Sequence, residues 1–327
     1  MEYTDLPRLI KVLSAPYHLP HSLRVRNLFL APLIERDIHP IDPETCWKAW
    51  TDHHGERSLI RLYGDLPPEG QEDDPEALFG ILVMSNGLRM VDDTPCVDLY
   101  VSHEPLVKSS SLEGHVPPPT GESAALFTRM FEEGILPTLS LWRKTKAIYF
   151  GIDRCWVPLS GKKIIYDGSC TRMVKRLDVT AANQEIQAPA GYRVRRATAE
   201  DCDTIVALSS HPRPLAYYVS RIHFSVTVID EATDELAAWA LTHDDLSIGS
   251  LHTVEGHRKK GLAQLVVAEL SRQFASQFPR HPLHSGSVYI HADCEAYNVT
   301  AVKMFTRAGF DEQVFVSWIG IEVGDEA

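Results

Sequence analysis

Apolar and polar residues change places in short runs through the first half of the chain. Ser22-Leu23-Arg24-Val25-Arg26 and Ser58-Leu59-Ile60-Arg61-Leu62-Tyr63 read as strands, as do the apolar runs Leu78 to Met84 and Ala147-Ile148-Tyr149-Phe150. Ala124 to Glu133 has helical spacing, and Arg8 to Leu13 predicts a short amphipathic helix. The second half is more regular. Tyr192 to Ala197 alternates as a strand, and Thr198-Ala199-Glu200-Asp201 places a threonine ahead of acids, a helix start. Ser225 to Ile229, Glu235 to Thr242 and Leu246 to Val254 predict three strands, with a turn at Ala232-Thr233-Asp234. Leu262, Val266, Leu270 and Phe274 form an apolar stripe on a helix from about Leu262 to Phe278, stopped by Pro279. Val288 to Asp293 reads as a strand. Asn298 to Ala308 reads as a helix capped by Gly309, and Val314 to Val323 as a closing strand.

This mixture predicts an α/β or α+β fold. The 327 residues, 44% hydrophobic and 23% charged, suffice for a large core and suggest two domains. Asp65 to Pro75 and Ser109 to Ser123 carry prolines and polar residues and read as surface loops. Thr180 to Gly191, TAANQEIQAPAG, lacks periodicity; it suggests a division into residues 1–180, a linker at 181–191, and residues 192–327. The 32 basic and 44 acidic residues give a net charge of −12, which argues against nucleic-acid and anionic-membrane partners. No apolar run approaches the length of a membrane span. Six scattered cysteines with no CxxC spacing read as buried, reduced thiols, and no metal is expected. Acids near the N-terminus are unlike a leader, so a cytoplasmic location is expected. Trp47 and Trp50 read as core on a helix. His53 and His54 are adjacent and diverge, which makes a poor metal site.

The chemistry concentrates at Glu255-Gly256-His257-Arg258-Lys259-Lys260-Gly261-Leu262-Ala263, where a strand feeds a basic, glycine-bearing loop that opens a helix. The first amides of a helix lack intrahelical partners, and the macrodipole favours an anion beside them. Gly261 permits close approach, Ala263 keeps the helix start narrow, and Arg258, Lys259 and Lys260 add charge.

In this setting the sequence from Tyr192 to Val323 resembles the GNAT superfamily of N-acetyltransferases. Arg258, Gly261 and Ala263 follow its R/Q-x-x-G-x-G/A loop, and Asn298, Ala301, Phe305, Gly309 and Phe310 follow its later pattern. Trp239, Leu241, Thr253, Arg258, Gly261, Leu262 and Tyr289-Ile290-His291 look most like the glycine N-acyltransferase group; Ser22 to Val25 and Trp50 echo its N-terminal half. The resemblance implies a mixed central sheet flanked by helices, with two GNAT-like halves in tandem, the first without a cofactor loop. It implies transfer of an acyl group from acetyl-CoA or another acyl-CoA to the amine of a small molecule or amino acid. It also implies a cofactor site at Leu251, His252, Thr253, Val254, Arg258, Lys259, Lys260, Gly261, Leu262, Ala263, Asn298 and Phe305, and a mitochondrial location as the alternative to a cytoplasmic one. A non-catalytic acyl-CoA-binding protein and a protein or peptide acetyltransferase are the competing readings.

The chain departs from the group at two positions. Ser247 stands where glycine N-acyltransferases have a carboxylate, and Phe305 where GNAT enzymes often have a tyrosine. A serine hydroxyl is no base near neutral pH. Strand parity puts Asp245 on the face of Ser247, so a water held by the pair is one substitute base; His291, on the neighbouring strand, is the other. His252 has the opposite parity unless a bulge intervenes, and Glu255 reads as a loop cap. His281 and His284, in a loop around Pro282, read as solvated.

Overall fold

The computed structural model describes residues 3–37, 42–55, 58–85, 90, 92–106, 118–160, 163–177, 186–277, 283 and 288–324. Helices α1 (Leu6–Leu13), α2 (Leu23–Glu35) and α3 (Pro43–His54) open the chain. Asp5 and Asp42 cap α1 and α3 by accepting the N–H groups of Arg8 and Thr45, each with a proline in the first turn. The strand expected at Ser22 to Arg26 is instead the start of α2. Its supposed polar positions, Arg24 and Arg26, are only 8% and 1% exposed, so the alternation marks no solvent face. A helix covered on every side shows no amphipathic period.

An antiparallel meander follows: β1 (Ser58–Gly64), β2 (Phe79–Ser85) and β3 (Cys96–Val101). Helix α4 (Gly121–Arg129) runs through a π-helical turn into α5 (Leu136–Trp142). Strand β4 (Lys146–Asp153) meets β3 in parallel at Cys96–Ile148 and Val97–Tyr149, beyond which the two are no longer paired. Strand β5 (Lys163–Leu177) was not legible as a strand: its first residues are exposed and its later ones buried, so neither part alternates.

Strands β6 (Tyr192–Arg195), β7 (Ser225–Asp230), β8 (Glu235–Thr242) and β9 (Ile248–Thr253) form a second, sequential antiparallel sheet. Helices α6 (Asp201–Ala207) and α7 (Leu215–Ser220) lie between β6 and β7, and the Asp201 carboxylate accepts the Thr198 N–H at 2.7 Å. Helix α8 (Leu262–Gln277), β10 (Val288–Glu295), α9 (Val299–Arg307) and β11 (Asp311–Glu322) complete the chain close to their expected places.

The larger sheet has the order β1-β2-β3-β4-β11-β5-β10. The last strand of the chain therefore sits between β4 and β5, and β5 sits between β11 and β10. Each half lends a strand to the other. One apolar cluster joins Leu28, Phe29, Trp50 and Tyr100 to Val226, Val266, Leu270 and Phe305; a second, under α4 and α5, takes in Ile319 and Ile321 of β11. All six cysteines are free and buried. Among the described residues no helix is long and apolar enough to cross a membrane. Residues 109–117 of one expected loop, 180–185 of the expected linker, and His281 and His284 lie outside the described residues.

Candidate functional site

The two sheets separate between β9 and β10, which are not paired. Strand β9 carries the local irregularity. Trp239 faces His252 and Leu241 faces Gly249, so Ser250 and Leu251 together oppose Ala240 alone. This is a β-bulge, and Ser250 takes a left-handed φ of 50° within it. Two clefts meet there, because Leu251, Asn298 and Ala301 line both.

The first cleft, about 730 Å³, runs between the start of α8 and the face of α9. Leu251, His252, Thr253, Arg258, Lys259, Gly261, Leu262, Ala263 and Asn298, all named above for a cofactor site, line it together. Gly261 has a φ of 79°, and a Cβ there would point into open space. The helix bonds begin with Leu265 N–H to the Gly261 carbonyl, so the preceding amides of the first turn have no intrahelical acceptor. Arg258 braces the loop by donating to the Thr253 carbonyl at 3.2 Å. Three expected residues stand elsewhere. Lys260 turns to Tyr192, donating to its hydroxyl at 2.8 Å, and Val254 bonds back to Ala237 and packs on the Trp239 cluster. Phe305 belongs to the second cleft and packs edge-on against Phe310. The sequence reading missed Thr300, Lys303 and Arg307, which face the groove from α9. Their spacing of three and four was the available signal, since such residues share one helix face.

The second cleft is narrower, about 200 Å³. Ser247 to Leu251 form one wall and Ala292 to Glu295 of β10 another, while Arg24, Phe150 and Trp318 close it from α2, β4 and β11. Ser247 lines it as expected, and its hydroxyl donates to Asp245 Oδ1 at 2.6 Å. Asp245 is fully buried and ion-paired with Arg24, whose Nε reaches Asp98 at 2.6 Å. Arg24 and the nearby histidines hold the Asp245 carboxyl well below its usual range, against the desolvation of burial. His291 does not line either cleft. It is fully buried, neither ring nitrogen has a hydrogen-bond partner among the described residues, and burial pulls its pKa down to about 4. The sequence put His291 on the right strand, neighbouring that of Ser247, but could not show that Ala292 and Asp293 beside it take the cleft face.

The cleft holds two histidines that the sequence reading passed over. His243 lies against Gly249, and its Nδ1 is 2.9 Å from the Tyr217 hydroxyl; burial, then Arg213, lowers its pKa to about 3. His211 is half-exposed, stands edge-on to Trp318, and places Nε2 3.0 Å from Glu295 Oε1. Asp293 is clamped by Arg172 at 2.8 and 3.1 Å. His252 stacks on Trp239 at 4.7 Å.

Residues 225–319 match the family described as FR47-like protein, which is less than a third of the chain. The fold of nearly the whole chain is shared with a Drosophila protein of known crystal structure, at a TM-score of 0.65 and 17% identity, covering 97% of this chain and 95% of that one. More distant are a GCN5-related N-acetyltransferase from Kribbella flavida, at 0.47 and 13% over 76% and 88% of the chains, and a tandem GNAT protein from the clavulanic acid biosynthesis pathway, at 0.48 and 13% over 93% and 96%. No curated protein matches the sequence significantly. The chain thus has a mixed α/β fold, its central mixed sheet flanked by helices, shared with the Drosophila protein.

Proposed function

We propose that the protein transfers an acyl group from acetyl-coenzyme A or a longer acyl-coenzyme A to the amine of a small molecule or amino acid. The observation that carries this is the meeting, at the β9 bulge, of an anion-suited groove with a small polar cleft. The groove suits a pyrophosphate. Gly261 leaves room, the α8 amides point outward, and Arg258, Lys259, Lys303 and Arg307 supply charge.

Acyl-coenzyme A supplies an activated carbonyl and a thiol leaving group; the chain supplies position and proton transfer. Amides freed from regular pairing at Ser250 and Leu251 are the donors for the carbonyl oxygen. The Ser247 hydroxyl donates a hydrogen bond to Asp245, so its oxygen is turned to accept an N–H from the amine and orient it. Asp245, kept ionised by Arg24, is a poor proton acceptor. His211 takes that role: with Nε2–H directed at Glu295, its Nδ1 carries the lone pair that accepts the proton, and the exposed side of the ring returns it to water. His291, behind the cleft wall, transfers no proton. Phe305 supplies no acid, and a thiol of ordinary pKa near 8.5 leaves without one. Closure by Arg24, Phe150 and Trp318 favours a small acceptor over a protein segment.

The test is incubation with acetyl- and longer acyl-coenzyme A and a panel of amines and amino acids, followed by thiol release and product mass. An acylated amine is expected, with kcat/KM falling about 100-fold in His211→Ala while acyl-coenzyme A affinity stays within about twofold. Binding without product across the panel would favour the non-catalytic reading, to which Ser247 and Phe305 lend some weight. Absence of binding defeats both.

A further inference from the structure

The N-terminal half has a splayed strand pair of its own. Where β3 and β4 part, three side chains converge: His21 from the turn ahead of α2, Glu104 from the short 3-10 helix after β3, and Asp153 at the end of β4. Their ligating atoms all lie within 4.8 Å of one another. Both carboxylates are 3% exposed. Asp153 Oδ1 accepts the Cys155 N–H at 3.0 Å, and Glu104 Oε1 accepts the Val101 N–H at 2.9 Å and the Trp156 indole N–H at 3.0 Å. Each carboxylate is thus pinned through one oxygen. Among the described residues Asp153 Oδ2 and His21 Nδ1 are buried with no hydrogen-bond partner, and they face each other at 3.4 Å. Two buried carboxylates side by side repel when both are ionised. An unmatched buried acceptor is also costly in itself. A cation resolves both.

We propose that His21, Glu104 and Asp153 bind one divalent transition-metal ion, with zinc the best match. One imidazole and two carboxylates suit zinc or manganese, whereas magnesium and calcium prefer oxygen alone. Zinc bonds of about 2.1 Å span a tetrahedral edge of about 3.4 Å, the spacing between His21 and Asp153. Glu104 closes on the ion by turning its second oxygen, and water completes the shell. His21, 15% exposed at its side chain, gives the entry path. The ion ties together the ends of β3 and β4 and the start of α2, the helix that carries Arg24 to Asp98 and Asp245. The sequence hid the site because its ligands are single residues far apart in the chain.

Full-length protein stripped with chelator is dialysed against micromolar zinc, with manganese and magnesium in parallel arms. Bound metal is counted by mass spectrometry, and tryptophan fluorescence follows Trp156. About one equivalent of zinc is expected, with Kd below about 1 µM, together with a fluorescence change. His21→Ala and Asp153→Asn should each lose the equivalent and the fluorescence response. If Asp153→Asn does not fold, His21→Ala decides, since the His21 Nδ1 holds no hydrogen bond. Zinc bound equally by His21→Ala, no retained zinc in the parent, or magnesium bound more tightly than zinc overturns the proposal.

Discussion

Three interior histidines are held neutral by burial: His18 and His291 titrate at about 4 and His243 at about 3. In the unfolded chain each titrates near 6.5. Between those values the unfolded state binds protons that the folded state does not, so stability falls as pH falls, by up to about 1.4 kcal/mol per pH unit for each histidine. Glu104 acts in the opposite direction, because its raised pKa lets the folded state hold the extra proton above the usual carboxylate value. Three groups outweigh one. With chelator present, the urea midpoint is expected to drop from pH 7 to pH 4.5, and His291→Gln should flatten that drop. A midpoint that holds or rises over this range would mean that these rings charge freely in the native state. Residue-level reasoning from the sequence reached some of this chemistry. Parity alone paired Asp245 with Ser247, and the hydroxyl does donate to that carboxylate. It could not reach Arg24, which arrives from a distant helix and fixes the charge of Asp245.

Elements that face water on one side were legible, because their burial leaves a period in the sequence. The stripe of α8 and the alternation of β6, whose Tyr192 and Val194 pack on the core while Arg193 is exposed, are of this kind. α2, buried all round, and β5, exposed at one end and buried at the other, leave no such period. The loop between β9 and α8 was legible from residue type, and Gly261 is its most testable position. Its φ of 79° makes any side chain cost about 1 kcal/mol, but the space beyond its Cα is open, so Gly261→Glu should fold. Its carboxylate would stand in the groove among the amides where a pyrophosphate belongs. Calorimetry is expected to show coenzyme A affinity reduced at least about 100-fold, about 2.7 kcal/mol, by charge and steric conflict at one anion site. Arg258→Ala should weaken binding less, since the amides remain and the Arg258 guanidinium is already engaged by Thr253. Undiminished affinity in a folded Gly261→Glu protein would remove the anion from the start of α8.

At the scale of the whole molecule, the strand exchange decides what can stand alone. The residues that line the groove all come from the second half of the sequence, yet the strands that support them do not. Among the described residues β10 has one hydrogen-bonded neighbour, β5, and β11 has two, β5 and β4; all of these partners precede residue 178. A protein made of residues 186–327 would leave both strands with bare edges and divide the apolar cluster that joins Trp50 and Tyr100 to Val266 and Phe305. Unpaired edges of that length favour association with other chains over folding. That half expressed alone should therefore be insoluble or lack a cooperative unfolding transition. Expressed together with residues 1–177, it should be recovered as a stable complex, because every strand regains its partner. The intact chain should unfold in one transition followed identically by fluorescence and circular dichroism, since the two halves share a sheet and a core. A soluble second half that unfolds cooperatively by itself would show that β10 and β11 pair adequately without β5, and that the exchanged strand fastens the halves together without being needed to form either.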